Sequence, residues 1–326
     1  MTMLPNFIAA GLDLGGTKIE AQIFNANWQA VARRRVKTPK SYADLVMAIV
    51  DQVAWVEANA VVGLPIGIAA AGLINPKTGL ALTANLAATG RALPADIEAA
   101  IGRCVTYLND CRALTLSEAI FGAARGLSPA VGLIIGTGIG GGVALNGQLL
   151  DGLATLGGEF GHFALAAGPM ILHNLPVLAC GCGRIGCTET YISGPGLCRI
   201  VAHKTGRNMT PSQIVAARKN EPDIAECWEI WCGLVTELLL TLCLIIDPAC
   251  IIIGGGLSKV PGLIDDLQRG LAKAQLVGFS SPTLRLAEGG DASGARGAAY
   301  AAYQASALNG SDTPESGAGS DRKVTL

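Results

Sequence analysis

The chain has 326 residues, half of them apolar, 15% charged and 5% aromatic, with 24 Lys and Arg against 25 Asp and Glu. That length and apolar share suit two domains with sizeable cores and exclude a disordered or collagen-like protein. A formal net charge of -1 supplies no basic field, which argues against nucleic acid as the main partner. From the N-terminus, FIAAGLDL (7–14) reads as a strand, GGTK as a Gly-rich turn and IEAQIFN as the returning strand. No Lys or Arg precedes the first apolar run, so a cleaved signal peptide is not expected. Residues 41–60 have helical spacing at Leu45, Ile49, Val53 and Val56, with Ser41 as N-cap and Asp44 in the first turn. PIGIAAAGLI (65–74), ended by Asn75-Pro76, reads as a central strand. A strand over 105–108 carries Asn109-Asp110 at its carboxyl end, and a helix is expected over 115–126.

A second strand–turn–strand begins at Val131, written VGLIIG, TGIGGG and VALNGQLL. Residues 152–196 are rich in Gly and Cys and read as irregular, and helices dominate 212–246. The most apolar stretch, 234–246, is interrupted by Glu237 and stopped by Asp247-Pro248. It is shorter than the ~20 residues a membrane span needs and reads as a buried helix. CIIIGGGLS (250–258) is another apolar strand, a closing helix covers 292–307, and 308–326 has the composition of a disordered tail. The same opening unit therefore occurs twice, near residues 8 and 131. We expect two α/β lobes with a cleft between them: 1–120 with the closing helix 292–307, and 121–291.

The Gly-rich turns carry the first chemical signal. GTGIGG (136–141) matches the dinucleotide fingerprint by letter, but that fingerprint requires a helix next. Here VALNGQ follows, a strand running into an Asn-Gly hairpin signal. Residues 11–18 end Gly-Thr-Lys where a P-loop ends Gly-Lys-Ser or Gly-Lys-Thr. What remains is a pair of Gly-rich hairpin turns, one per lobe. Turns without Cβ atoms let backbone N–H groups approach a polyphosphate, and Thr17, Lys18 and Thr137 add donors. One such turn is by itself an ordinary hairpin. Two of them, with Gly254, Gly255 and Gly256 after an apolar strand, point to a nucleotide cleft.

Ten Cys in a large chain without export signals suit a reducing, cytoplasmic setting more than a disulfide framework. CGCGRIGC brings Cys180, Cys182 and Cys187 together, with His162 upstream in GGEFGH. Three thiolates and one imidazole make a closed tetrahedral zinc site; the plain alternative is a set of free buried thiols. Cys198, Cys227, Cys232, Cys243 and Cys250 fall in helix or strand patterns and read as core, and His173 and His203 as surface residues.

Four segments in order, DLGGTK (13–18), GTGIGGG (136–142), GGEFGH (157–162) and CGCGRIGCTETYISGPG (180–196), resemble the ROK family of bacterial sugar kinases. The likeness runs to about residue 305. It implies a two-lobed actin-like, ribonuclease H-like ATPase fold with a cleft between lobes. Within the family, ANLAATGRAL (84–93), LNDCRALTLSEA (108–119), the Phe of GEFGH and the long stretch between His162 and Cys180 resemble N-acetyl-D-glucosamine kinases. The implied reaction is ATP-dependent phosphorylation of the 6-hydroxyl of an amino sugar, N-acetyl-D-glucosamine first. Implied with it are ATP, Mg²⁺, a structural Zn²⁺, a small-molecule sugar and a homodimer; neither nucleic acid nor a membrane is implied.

Position by position, the resemblance implies Asp110 as catalytic base, with Asn85, Asn109, Asp110, Glu159, His162 and Glu189 on the sugar. His162 would then also join Cys180, Cys182 and Cys187 on the zinc. Asp13 would place Mg²⁺ and its waters. Gly15, Gly16, Thr17 and Lys18, with Gly136, Thr137 and Gly138, would hold the phosphates, and Gly254, Gly255 and Gly256 the adenosine. Phosphoryl transfer independently asks for positioning, charge neutralisation and a base on the attacking hydroxyl.

The chain departs from the family pattern at three places. Where Asp/Glu-Asn-Asp-Ala-Asn is common, Leu108 replaces the first acid and Cys111-Arg112 replace Ala-Asn. Ala71 stands where a Pro is usual before Gly72. Arg112 puts a cation two residues from the base, which is expected to stabilise the carboxylate and weaken it as a base. The alternatives are a kinase of glucose, fructose, mannose or N-acetylmannosamine and, from another class, a sugar-sensing repressor. ROK regulators carry a helix-turn-helix ahead of the first Gly-rich turn; twelve residues precede Asp13 here, with no basic helix among them, so a kinase is expected.

Overall fold

The structure, a computed structural model, describes residues 6–290 and 293–310. β1 (Phe7–Leu14) and β2 (Lys18–Asn25) pair antiparallel around the first Gly-rich turn. β3 (Ala30–Lys37) extends the sheet as an edge strand. The sequence shows no separate third strand here, because consecutive Arg33, Arg34 and Arg35 hide the alternation of an edge strand. α1 (Tyr42–Asn59) starts at Ser41, whose hydroxyl accepts the Asp44 N–H at 3.2 Å. It buries Leu45, Ile49, Val53 and Val56, the expected stripe.

β4 (Ile66–Ala70) lies parallel beside β1 and is wholly buried. The run expected as one strand to residue 74 breaks at Gly72, whose φ of +120° few other residues adopt. It resumes as the short β5 (Leu73–Ile74), paired with β6 (Ala81–Leu82). α2 (Leu93–Ile101) leads to β7 (Thr106–Asn109), parallel to β4. α3 spans Asp110–Phe121 and not 115–126. Asn109 moves the start forward by accepting the N–H groups of Cys111 and Arg112, and Gly122 ends the helix.

The second sheet opens with β8 (Ala130–Ile135), β9 (Ile139–Leu145) and β10 (Gln148–Leu149). A strand therefore follows GTGIGG, and the next turn is Asn146-Gly147 with φ of 51° and 77°, the conformation an Asn-Gly hairpin prefers. The segment 152–196 is more ordered than its composition implies, holding α4 (Ala167–Leu172), α5 (Glu189–Ile192) and the start of α6 (Gly194–Thr205). α7 (Pro211–Ala217) and α8 (Pro222–Ile246) follow. By length and composition α8 could cross a membrane, and it is longer than the 234–246 stretch. It buries Trp231, Leu234, Leu238 and Leu242 in one core with Ile251 and Ile253. β11 (Cys250–Gly254), α9 (Leu263–Ala274), β12 (Thr283–Leu286) and α10 (Ser293–Gly310) complete the described chain. Residue 292 and most of the expected tail, 311–326, lie outside the described residues.

The two sheets share one strand order, β3-β2-β1-β4-β7 and β10-β9-β8-β11-β12, each a meander followed by two parallel strands. The connecting helices cross over. α3 leaves the first sheet and packs on β8 and β9, whereas α10 leaves the second and packs on β1 and β4; the helices also pack on each other. A Cβ on Gly11 or Gly67 would overlap the carbonyl oxygens of Ala295 or Ala298, and one on Gly297 that of Ala113. Part of the glycine excess therefore serves this crossing and not phosphate. The expected boundary at residue 120 falls in α3, a helix that lies on the second sheet.

Candidate active site

The carboxyl end of β7, the β8–β9 turn and the loops around β5 and β6 enclose a cavity of 560 Å³. Asn109, Asp110, Glu159, His162 and Glu189 all line it, with Gly136, Thr137 and Gly138 on one wall. Asn85 does not: it is exposed and lies against Gly16. Sequence reasoning missed Ala71, Gly72, Thr83, Ala84 and Cys111 as lining residues. The Ala71 departure was the one available signal for the first of them.

Asp110 is the first residue of α3, and its Oδ1 accepts the Cys111 N–H at 2.9 Å. Burial raises its pKa above the ordinary aspartate value, and the hydrogen bonds from the Cys111 N–H and thiol and from its own N–H oppose this only in part. Asn109 fixes that position. Its Oδ1 accepts from Cys111 and Arg112 at 2.9 and 3.2 Å, and its Nδ2 donates to the Gly72 carbonyl at 3.1 Å. The amide thus ties the start of α3 to the break after β4.

Arg112 does not depress Asp110. Its guanidinium pairs with Asp151 and donates to the carbonyls of Thr155 and Gly157, both at 3.3 Å. A cation committed elsewhere does not weaken the base, which corrects the expectation from spacing. Leu108, in place of an acid, packs against Ala69, Ala113 and Ala298 where α3 and α10 cross.

His162 faces two ways. Its Nδ1 lies 3.8 Å from Cys180 Sγ, and its Nε2 lies 3.8 Å from a Glu159 oxygen. The donor atoms of His162, Cys180, Cys182 and Cys187 all fall within 4.8 Å of one another, with the Cys182 and Cys187 sulfurs 3.7 Å apart. Tetrahedral Zn–S bonds of about 2.3 Å imply S···S edges of about 3.8 Å, so the four donors fit such an ion. Gly181 and Cys182 also line the cavity, so the Cys loop forms part of its wall. Glu189 Oε2 accepts the Ile139 N–H at 2.9 Å. A Cβ on Gly138 would meet that same oxygen at 2.7 Å, so this glycine makes room for Glu189.

A second cavity of 960 Å³ lies on the other side of Gly136 and Thr137, which line both. Gly194, Pro195, Thr210, Ser212, Gly256 and Lys259 contribute to it. Gly254 and Gly255 do not line it. Cβ atoms there would meet Ile134 Cδ1 and the Ile135 carbonyl, so these two glycines serve packing. Gly15, Gly16, Thr17 and Lys18 line neither cavity. Their turn is closed by the Gly15 N–H donating to Lys18 O at 3.0 Å and by the Thr38 hydroxyl donating to Gly15 O at 2.6 Å. The Asp13 carboxylate faces the first turn of α10, where a Cβ on Gly294 would lie 3.2 Å away.

The model of the ROK family matches residues 9–305. The chain is 36% identical over 292 residues to an N-acetylgalactosamine kinase of Shewanella sp. (strain ANA-3), covering 89% of this chain and 94% of that one. It is 36% identical over 296 residues to an N-acetyl-D-glucosamine kinase of Yersinia enterocolitica, covering 89% and 97%. A solved ROK hexokinase from Thermus thermophilus superposes with a TM-score of 0.82 at 30% identity, over 92% of this chain and 99% of that one.

Proposed function

The chain belongs to the ROK family, and from that premise we propose that it transfers the terminal phosphoryl group of ATP to the 6-hydroxyl of an N-acetylhexosamine, N-acetyl-D-glucosamine first. One observation carries this reading. A carboxylate with a raised pKa, Asp110, lies in a sugar-sized cavity that shares the Gly136–Thr137 wall with a larger cavity suited to a nucleoside.

Asp110 accepts the proton of the 6-hydroxyl as that oxygen attacks the γ-phosphorus, and ADP departs with the electrons of the broken P–O bond. A raised pKa makes the carboxylate a stronger base, and Asn109 keeps it at the end of β7. Glu159, Glu189 and His162 offer acceptors and a ring nitrogen to the other hydroxyls. Adenosine in the larger cavity directs its phosphates across Gly136, Thr137 and Gly138 toward the sugar. The family resemblance implies Asp13 as the carboxylate for Mg²⁺, which when bound would neutralise phosphate charge, although Asp13 lines neither cavity. Zn²⁺ on His162, Cys180, Cys182 and Cys187 would fix the imidazole beside Glu159; elemental analysis should find about one zinc per chain. The free thiols suit a reducing cytoplasm, and sedimentation tests the homodimer that the family resemblance implies.

The relative named for N-acetylgalactosamine, as similar as those named for N-acetyl-D-glucosamine, supports a second reading in which the C4 epimer is preferred. Coupled ADP release decides between them, run over both sugars with N-acetylmannosamine, glucose, fructose and mannose. The expected order places N-acetyl-D-glucosamine highest in kcat/KM. No ADP release with any of the six would overturn the proposal.

A further inference from the structure

Arg112 takes no part in the chemistry above, and it is a residue at which this chain departs from its family. Its side chain is 5% exposed. Its backbone N–H is held by Asn109, so its root is fixed to the start of α3 beside Asp110. Its head reaches the loop over residues 151–158. There it pairs with Asp151 and donates to the carbonyls of Thr155 and Gly157. A planar guanidinium can meet one carboxylate and two carbonyls at once, whereas an Asn is too short and a Lys lacks the fork.

Gly158, at the end of the loop, is packed on the backbone of Gly141 and Gly142, but residues 151–156 are mostly exposed and have little besides Arg112 to hold them in one shape. The Asp151 side chain is 75% exposed, and Leu153 and Leu156 point largely into solvent. Thr155 has a φ of +53°, which a β-branched residue rarely adopts without outside support. Directly after the loop comes Glu159, whose N–H donates to Leu156 O at 3.2 Å and whose side chain lines the sugar cavity. The base-bearing end of α3 and the segment carrying Glu159 are thus joined through one buried side chain.

We propose that Arg112 is a positioning residue: with Asp151 it latches the 151–158 loop to the start of α3 and so sets where Glu159 meets the sugar. The latch rests on the sugar-kinase reading of the cavity. Its loss should loosen the sugar's grip and leave the nucleotide side and the proton transfer in place.

Asp151→Asn tests this from the exposed end, where folding is not at risk, and Arg112→Lys tests it from the buried end. In Asp151→Asn, hydrogen exchange of the amides over 153–157 should quicken by about fivefold, as expected for a locally opened loop. The KM for N-acetyl-D-glucosamine should rise about fivefold, the size of a roughly 1 kcal/mol ion-pair contribution. kcat should stay within about twofold, with the KM for ATP and the melting temperature unchanged. Arg112→Lys, which keeps the charge, should fall between wild type and Arg112→Ala in sugar KM. Unchanged exchange overturns the latch. Faster exchange with an unchanged sugar KM overturns the positioning role. Equal losses in sugar and ATP affinity with a lowered melting temperature mean a merely structural contact and also overturn it. If the wild type turns over no sugar, the kinase reading fails and takes the positioning role with it, while exchange still judges the tether.

Discussion

The two ends of α3 each hold an enclosed carboxylate, and their surroundings push them in opposite directions. Asp110, in the first turn, has the Cys111 N–H and thiol and its own N–H as donors, all from its own turn; burial prevails over them and its pKa rises. Burial also acts on Glu118, in the last turn. There the N–H groups of Ala123, Glu288 and Gly289, at 3.0, 2.9 and 2.8 Å, and the Ser293 hydroxyl, at 2.8 Å, outweigh it and hold the pKa down. The sign of each shift is the balance between burial and the hydrogen bonds given to the ionised form. Glu118 has all the partners a carboxylate needs, and it uses them to tie α3 to the segment entering α10. Asp110 takes its donors from its own turn and lines the cavity, where a substrate hydroxyl would add one.

The strongest test of that contrast is Asp110→Asn. The amide keeps the size and cannot accept the proton, so turnover should fall by about 10²–10⁴ while sugar binding stays within several-fold of wild type. In wild type, kcat/KM should decline on the acid side through a value above the ordinary aspartate value, because the working form is the ionised one. Full activity in Asp110→Asn would move the search to Glu159, the next carboxylate on the cavity.

Glu118→Ala should give the reverse profile. Three backbone N–H groups and a hydroxyl would lose their acceptor where the helices cross, at a cost of about 2–4 kcal/mol in stability. Denaturant melts measure this, and turnover per folded molecule should hold within a few-fold. A large loss of turnover with normal stability would mean that Glu118 acts in the reaction and that the two ends of α3 are not divided as argued.

A smaller effect is expected at the wall opposite Asp110. The nearest atom to a Cβ on Gly136 is the Gly138 carbonyl at 4.0 Å, so Gly136→Ala disturbs only what enters the cavities. The KM for ATP should rise by about fivefold, roughly 1 kcal/mol, with no change in melting temperature. Gly138→Ala is a different probe, because its methyl would strike Glu189 and should weaken the sugar first. A Gly136→Ala enzyme with an unaltered ATP KM would remove the nucleotide from this wall.

Much of this was legible in the sequence, for reasons that can be named. The paired strand–turn–strand units, the Ser41 cap and the Asn-Gly hairpin are local signals, and local signals survive folding. The cluster of His162, Cys180, Cys182 and Cys187 was legible because its thiols sit within one short, Gly-rich segment. What failed was anything set by a distant partner. Arg112 seemed to act on Asp110 because the two are close in sequence, yet Asp151 claims it. Gly254 and Gly255 looked like nucleotide glycines, yet they make room for β8 and its side chains. The importance of Glu118 was invisible, because three of its four donors lie on residues 288, 289 and 293.

The smallest effect, and the one that isolates the contrast within α3, lies in how stability varies with pH. The folded pKa of Asp110 is above its unfolded value, so between the two the native state holds a proton that the unfolded state has lost. Its contribution to stability therefore falls as pH rises through that window. For Glu118 the folded value is the lower one. Its stabilisation is complete above the unfolded pKa and is lost as pH falls through the folded one. Removing each charge separates the two. Asp110→Asn should match wild type most closely at acid pH, where both carry a neutral group, gain on it as pH rises from the unfolded to the folded value, and level off above that. Glu118→Gln should be closest to wild type at acid pH and fall behind as pH rises. Denaturant midpoints at four or five pH values measure both differences on one scale. If the Asp110→Asn difference does not grow with pH, the resting carboxylate is not desolvated, and the argument that burial makes it a stronger base fails with it.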